Sequence, residues 1–135
     1  MLAIPGYQIL AQIYESANSL VYRGRRELDD RTVILKLLKE DYPTPAELTR
    51  YKQEYEITRA LNIEGVVRAY SLHKYNNTLV MCLEDFGGES LKILMKSRKL
   101  QLEEFLSLAI RIAEILGEIH QQNRHLRKMV IPLAD

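Results

Sequence analysis

Two charged residues stand out by type and spacing. Lys36 lies in the run Thr32-Val33-Ile34-Leu35-Lys36-Leu37-Leu38, and Glu54 follows eighteen residues later in a strongly helical segment. An ammonium on a buried strand, faced by a carboxylate on the next helix, is the outline of a phosphate grip. The lysine supplies a point charge, and the glutamate keeps that charge present and aimed when water is withdrawn. Such a pair carries little weight alone, because most Lys and Glu side chains are solvated surface groups. Its meaning depends on the elements that position it.

Those elements are legible on both sides. Residues 7–14 and 19–27 read as strands, with Ile9, Ala11 and Ile13 alternating with more polar positions in the first and Val21 setting the alternation of the second. Glu15-Ser16-Ala17-Asn18 joins them tightly, Asp29-Asp30 is a second turn, and 31–38 is a third strand rich in Val, Ile and Leu. Thr44-Pro45-Ala46-Glu47 fits a capping box and predicts a helix from 45 to about 61, with Leu48, Tyr51, Tyr55, Thr58 and Leu61 facing inward. Residues 66–74 and 78–84 form two further strands around Asn76-Asn77, and Gly87-Gly88 breaks the pattern. A short helix near 89–97 and a long one near 101–122 follow, the latter with Leu102, Phe105, Leu106, Ala109, Ile112, Ala113, Leu116 and Ile119 at helical spacing. The expected class is α+β: a five-stranded antiparallel sheet, one helix against it, and a C-terminal helical pair.

Composition narrows the function classes. At 135 residues, 47% hydrophobic and 27% charged, the chain is an ordinary globular domain with enough length for one core. A formal charge of +1 gives no electrostatic reason to expect nucleic acid or a membrane surface as partner. Cys82 is the single cysteine and cannot close an internal disulfide, which favours a reducing compartment. No apolar run approaches the ~20 residues of a membrane span, and Met1-Leu2-Ala3-Ile4-Pro5-Gly6 lacks the basic and apolar regions of a secretory signal. The expected location is cytoplasmic.

In this order the elements resemble the small lobe of a protein kinase of the Ser/Thr type, followed by the first helices of its large lobe. Val33-Ile34-Leu35-Lys36 stands where that family has its Val-Ala-Ile-Lys strand, and Glu54 lies seven residues before Leu61 and twelve before Val66-Val67, as the family's helix glutamate does. Leu79-Val80-Met81 and Asp85-Phe86-Gly87-Gly88-Glu89-Ser90-Leu91 look like the hinge and its solvent-facing linker, and Leu116-Gly117-Glu118-Ile119-His120 resembles the end of the helix before the catalytic loop. More narrowly, Ile4-Pro5-Gly6-Tyr7 and Leu83-Glu84-Asp85-Phe86-Gly87-Gly88 are similar to kinase-like domains that open large bacterial, notably cyanobacterial, multi-domain sensor histidine kinases. The resemblance makes residues 1–135 one partial kinase-like domain: about 6–86 small lobe and hinge, 87–123 first large-lobe helices, 124–135 a divergent tail. It implies ATP as ligand, with Lys36 on the α- and β-phosphates, Glu54 holding Lys36, Val21 and Ile34 at the base, and Ser16 and Ser19 in the phosphate loop. Glu84, Asp85 and Phe86 would offer backbone groups to the adenine edge, and either Cys82 or Leu83 would guard the back pocket.

The sequence also departs from that family. Counting back from Val21, the three glycine places of the phosphate loop are Tyr14, Ser16 and Ser19, so bare backbone is not available to approach the phosphates. Ile34 replaces a small Ala and would crowd the base. After His120-Gln121-Gln122-Asn123, Lys128 takes the place of the catalytic Asp, no metal-binding Asn follows it, and the family's Asp-Phe-Gly is read as absent from the chain. The expectation is a truncated, pseudokinase-like domain with a weakened ATP site, no catalytic residue, and no protein group to hold magnesium. His120 is expected to pack structurally at its helix end. The alternative is a non-catalytic interaction or regulatory module that binds no nucleotide. Contact with a protein partner or a second copy through an exposed lobe face is expected in either case.

Overall fold

The computed structural model describes residues 2–39 and 42–130, with side chains described through Asn123. In chain order the elements are β1 (Tyr7–Glu15), β2 (Ser19–Arg26), β3 (Arg31–Leu38), α1 (Pro45–Ala60), β4 (Ala69–Tyr75), β5 (Thr78–Glu84), α2 (Leu91–Ser97) and α3 (Leu102–Val130). The five strands form one antiparallel sheet in the order β1-β2-β3-β5-β4. The chain divides into two compact units: the residues up to Ala60 with Val67–Phe86, and Leu61–Val66 with the chain from Gly87 onward.

In the first unit, β3 is the middle strand, and its alternation assigns the two faces of the sheet. Val33, Leu35 and Leu37 are buried on one face together with Ile4, Val80 and Cys82. That face is concave. The sheet coils until its two edge strands meet across it, the Tyr7 hydroxyl of β1 lying 3.1 Å from Nε2 of His73 on β4. The Arg26 guanidinium stacks 5.3 Å from the Tyr70 ring centroid in the same closure. On the other face Leu79 and Met81 pack with Tyr51 and Tyr55 of α1, flanked by Leu38, Leu48, Ala69, Leu72 and Leu83. Each fully buried aliphatic side chain here stabilises the fold by about 1.5–3 kcal/mol, so β3 and β5 anchor both layers.

The start of α1 is fixed by the capping box. The Thr44 backbone N–H donates to Glu47 Oε2 at 2.7 Å, and the Glu47 N–H donates to Thr44 Oγ1 at 3.3 Å. Turns fall where the sequence placed them, with Asp30 and Asn76 both in the left-handed region that these residue types tolerate. In the second unit Ser90 caps α2 by accepting from the Ile93 N–H at 3.3 Å. Gly65 there has φ +93°, and a Cβ would lie 2.6 Å from Ile115 Cδ1, so both conformation and space demand glycine.

Several boundaries and orientations differ from the sequence reading. Ile9, Ala11 and Ile13 do not share a face: bulges between Ile9 and Ala11 and between Gln12 and Tyr14 add residues to β1, so Ile9 opposes Gly24 and Ala11 opposes Arg23. Ile9 therefore joins the concave core while Ala11 and Ile13 are exposed. β4 begins at Ala69 rather than at 66, because Val66 closes a turn onto the Ile63 carbonyl. α1 ends at Ala60, and half-buried Leu61 belongs to the second unit. His120 is exposed rather than packed. α3 continues to Val130, since nothing before Pro132 breaks the helix. The side chains of the tail from Arg124, Lys128 among them, and residues 131–135 lie outside the described residues. Among the described residues no helix is long and apolar enough to cross a membrane.

Two outcomes test this arrangement. Cys82 is fully buried, and burial pushes its thiol above the ordinary range. It should resist a thiol reagent at neutral pH in the native chain and react fully once unfolded; rapid native labelling would contradict its place in the core. Thr44→Ala should destabilise the chain by about 1 kcal/mol in urea unfolding. Hydrogen bonds from the Thr44 backbone and hydroxyl hold the Glu47 carboxyl below its ordinary value of 4.5. The contribution of Glu47 is therefore present above that pH and lost as pH falls through its lowered native value, and the gap between wild type and Thr44→Ala should narrow in acid.

Candidate functional site

Lys36 is an even-numbered member of β3 and so points away from the concave core, toward α1. Its ammonium pairs with Glu54 Oε1 and lies 5.9 Å from the centroid of the Tyr51 ring. The Tyr51 hydroxyl donates back to the Lys36 carbonyl oxygen. One aromatic side chain thus braces the lysine at both its backbone and its charged end. Burial and the neighbouring Glu54 charge push the Tyr51 phenol well above its ordinary pKa, so the ring stays neutral and remains a donor. The lysine side chain is 25% exposed and the glutamate 46%, so the pair contributes about 1 kcal/mol or less to stability. Its effect is on aim rather than on folding. Sequence reasoning placed Tyr51 only on the inward stripe; its position three residues before Glu54 was the available signal, because such residues share a helix face.

The β1–β2 connection is closed upon itself. The Ser16 N–H donates to the Ser19 carbonyl at 2.9 Å, the Ser19 N–H donates to Ser16 Oγ at 3.0 Å, and the two hydroxyls lie 2.9 Å apart. The Asn18 N–H also reaches Ser16 Oγ, at 3.3 Å. The Asn18 carbonyl accepts from the Lys39 N–H at 2.9 Å, and the Lys39 ammonium pairs with Glu15. Ser16 and Ser19 are therefore engaged within their own turn. Three of the amides that a phosphate cradle would draw on are already committed.

Register places Val21 opposite Lys36 and Arg23 opposite Ile34, with Ile34 opposite Leu83 on the far side. Val21, Ile34, Lys36 and Leu83 thus share one face, and Leu83 belongs to the cluster beneath α1. Cys82 lies in the opposite, concave core. Of the two, Leu83 is therefore the one on the Lys36 face. At the end of β5, the Glu84 N–H donates to the Arg68 carbonyl at 2.8 Å, and its carboxylate accepts from the Arg68 N–H at 3.1 Å. The Asp85 carboxylate is gripped by Arg23, and Phe86 is 72% exposed. The letters Asp-Phe-Gly do occur, at 85–87, but in this linker, where Arg23 occupies the carboxylate.

A cavity of about 180 Å³ opens beside the lysine, lined by Asn18, Ser19, Lys36, Arg50, Tyr51 and Glu54 among others. It does not include Val21, Ile34 or the linker. Arg50 was not anticipated; it stands one helical turn before Glu54 and adds a second cation to this wall. Among the described residues no cluster of three or more His, Cys, Asp or Glu is placed to hold a metal ion.

No family model matches the chain. Curated relatives are nonetheless consistent in kind. The chain is 26% identical over 133 residues to the serine/threonine-protein kinase TIO of Arabidopsis thaliana, covering 97% of this chain and 10% of that protein. It is 26% identical over 117 residues to the serine/threonine-protein kinase PrkC of Bacillus subtilis, covering 85% of this chain and 18% of that protein. A probable serine/threonine-protein kinase of Clostridium perfringens aligns at 26% with 85% and 17% coverage. The chain thus spans between a tenth and a fifth of the length of these relatives. Among solved structures, the apo form of PpkA-294 superposes with a TM-score of 0.62 at 17% identity, covering 72% of this chain and 41% of its own. That likeness is one of fold.

Proposed function

We propose that this chain, a protein-kinase-like small lobe with helices following it, binds ATP weakly through Lys36 and does not transfer phosphate by itself. The observation that carries the reading is the braced lysine: Lys36 sits between Glu54 and Tyr51 on the sheet face that also presents Val21 and Ile34. ATP fits this donor set in part. Lys36 would meet the α- and β-phosphates, Val21 and Ile34 would lie against the base, and backbone groups of Glu84–Phe86 would meet its edge. ATP supplies a polyanion for the ammonium to neutralise. The closed turn at Ser16–Ser19 withholds the amides and hydroxyls that would wrap the phosphates, and Ile34 narrows the wall at the base. Both features argue for weak binding. Lys128 in the sequence place of the catalytic Asp, with no metal-binding Asn after it, argues against transfer, which depends on placing the nucleophile and magnesium.

A second reading, an interaction module that binds no nucleotide, is favoured by the closed turn and by apolar side chains exposed on α2 and α3, Ile93, Met95, Phe105, Leu106, Ile110 and Leu116 among them. A protein partner or a second copy would cover them. The reduced Cys82 suits a cytoplasmic setting. The narrower likeness to domains that open bacterial sensor histidine kinases rests on Ile4–Tyr7 and Leu83–Gly88.

Calorimetric titration separates the two readings. Lys36→Ala should weaken ATP by roughly tenfold or more, the scale of one charge-assisted contact, while leaving adenosine nearly unchanged. Equal loss for both ligands would show damage to the fold, and no ATP binding by the wild type would favour the interaction module. In a radiolabel assay with a generic protein acceptor, the 135-residue chain should transfer no phosphate above background, and Lys128→Asp should not restore transfer. Transfer that copurifies with the chain and disappears in Lys36→Ala would overturn this reading.

A further inference from the structure

The Arg23–Asp85 pair is an ion pair of the first unit that the lysine site leaves unused. Arg23 Nε donates to Asp85 Oδ2 at 2.7 Å and Nη2 donates to Oδ1 at 3.3 Å, a two-pronged contact. The Asp85 side chain is only 6% exposed. Arg23 lies on β2 and Asp85 directly follows β5, so the contact straddles the intervening β3, crossing in the row of Ile34. It ties the first residues after β5 to the strand that carries Val21. The Arg68–Glu84 bonds hold the same segment from the β4 side.

We propose that Arg23 is a positioning residue for the base end of the nucleotide site, acting through Asp85 to hold the backbone of Glu84–Phe86 in place for a purine edge. This rests on the nucleotide reading above and adds to it a determinant of base binding that is separate from the phosphate grip. The physical reason is preorganisation. A linker already held in one conformation loses less freedom when its N–H and C=O groups take up a ligand. Acting through Asp85 rather than through a phosphate contact, Arg23 on its loss should lower affinity for every ligand that carries the base, by the same factor, whatever its phosphate content.

The test is titration of ATP and adenosine into the wild type, Arg23→Gln, and the reversed pair Arg23→Asp with Asp85→Arg, each checked for a wild-type-like melting transition. Arg23→Gln should weaken ATP and adenosine alike, by about fivefold, and the reversed pair should recover part of that loss. This is the opposite of the pattern expected for Lys36→Ala. If Arg23→Gln does not fold, Arg23→Lys, which keeps the charge and loses the fork, takes its place with the same expectation at smaller size. Unchanged affinity for both ligands overturns the inference and leaves the nucleotide reading standing. Loss for ATP alone overturns it by making Arg23 a phosphate ligand, and tighter adenosine binding overturns it by making the ion pair an obstruction. Failure of the wild type to bind either ligand removes the nucleotide reading and this inference together.

Discussion

The strict alternation of β3 is the constraint on which the other features depend. With hydrogen-bonded neighbours on both sides, this strand cannot slip by one residue without exchanging its faces. Val33, Leu35 and Leu37 fill the concave core, and that choice turns Ile34, Lys36 and Leu38 toward the opposite face. Burial of three aliphatic side chains thus decides where a cation points. The same parity through β5 sends Cys82 inward and Leu83 toward α1. The chemistry of the site is a by-product of packing on its reverse side.

Around Lys36 the charges are arranged in short, closed pairs. Lys36 with Glu54, Lys39 with Glu15 and Arg23 with Asp85 each satisfy a cation locally, and Glu47 is held by Thr44. An anionic ligand entering here would compete with carboxylates already present. Arg50 faces the same cavity and raises the local positive potential without belonging to the inferred grip.

Much of this was legible in the residues, for identifiable reasons. The capping box at Thr44–Glu47, the apolar run of β3 and the spacing of Lys36 from Glu54 are local or periodic signals, and all three have their structural counterparts. What escaped depended on geometry that spacing does not encode. The bulges in β1 broke the apparent alternation of Ile9, Ala11 and Ile13. The Ser16–Ser19 network consumed hydroxyls that composition alone made available. Arg23 and Asp85 are 62 residues apart and meet only because β5 inserts beside β3. Tyr51 was seen as core, and its second role needed the position of the Lys36 carbonyl.

The bulges have a further consequence. All of the register irregularities in the sheet fall in the β1–β2 and β4–β5 ladders, where the outermost strands are paired, while β2–β3 and β3–β5 run without interruption. An outer strand presents unsatisfied N–H and C=O groups that invite another chain to add a strand, and a regular ladder is the best template for such growth. Kinks in β1 and β4 spoil that template on both flanks, while the centre keeps the regularity that its core requires. The irregularities that obscured the pattern in the sequence thus also make both flanks poorer templates for an added strand.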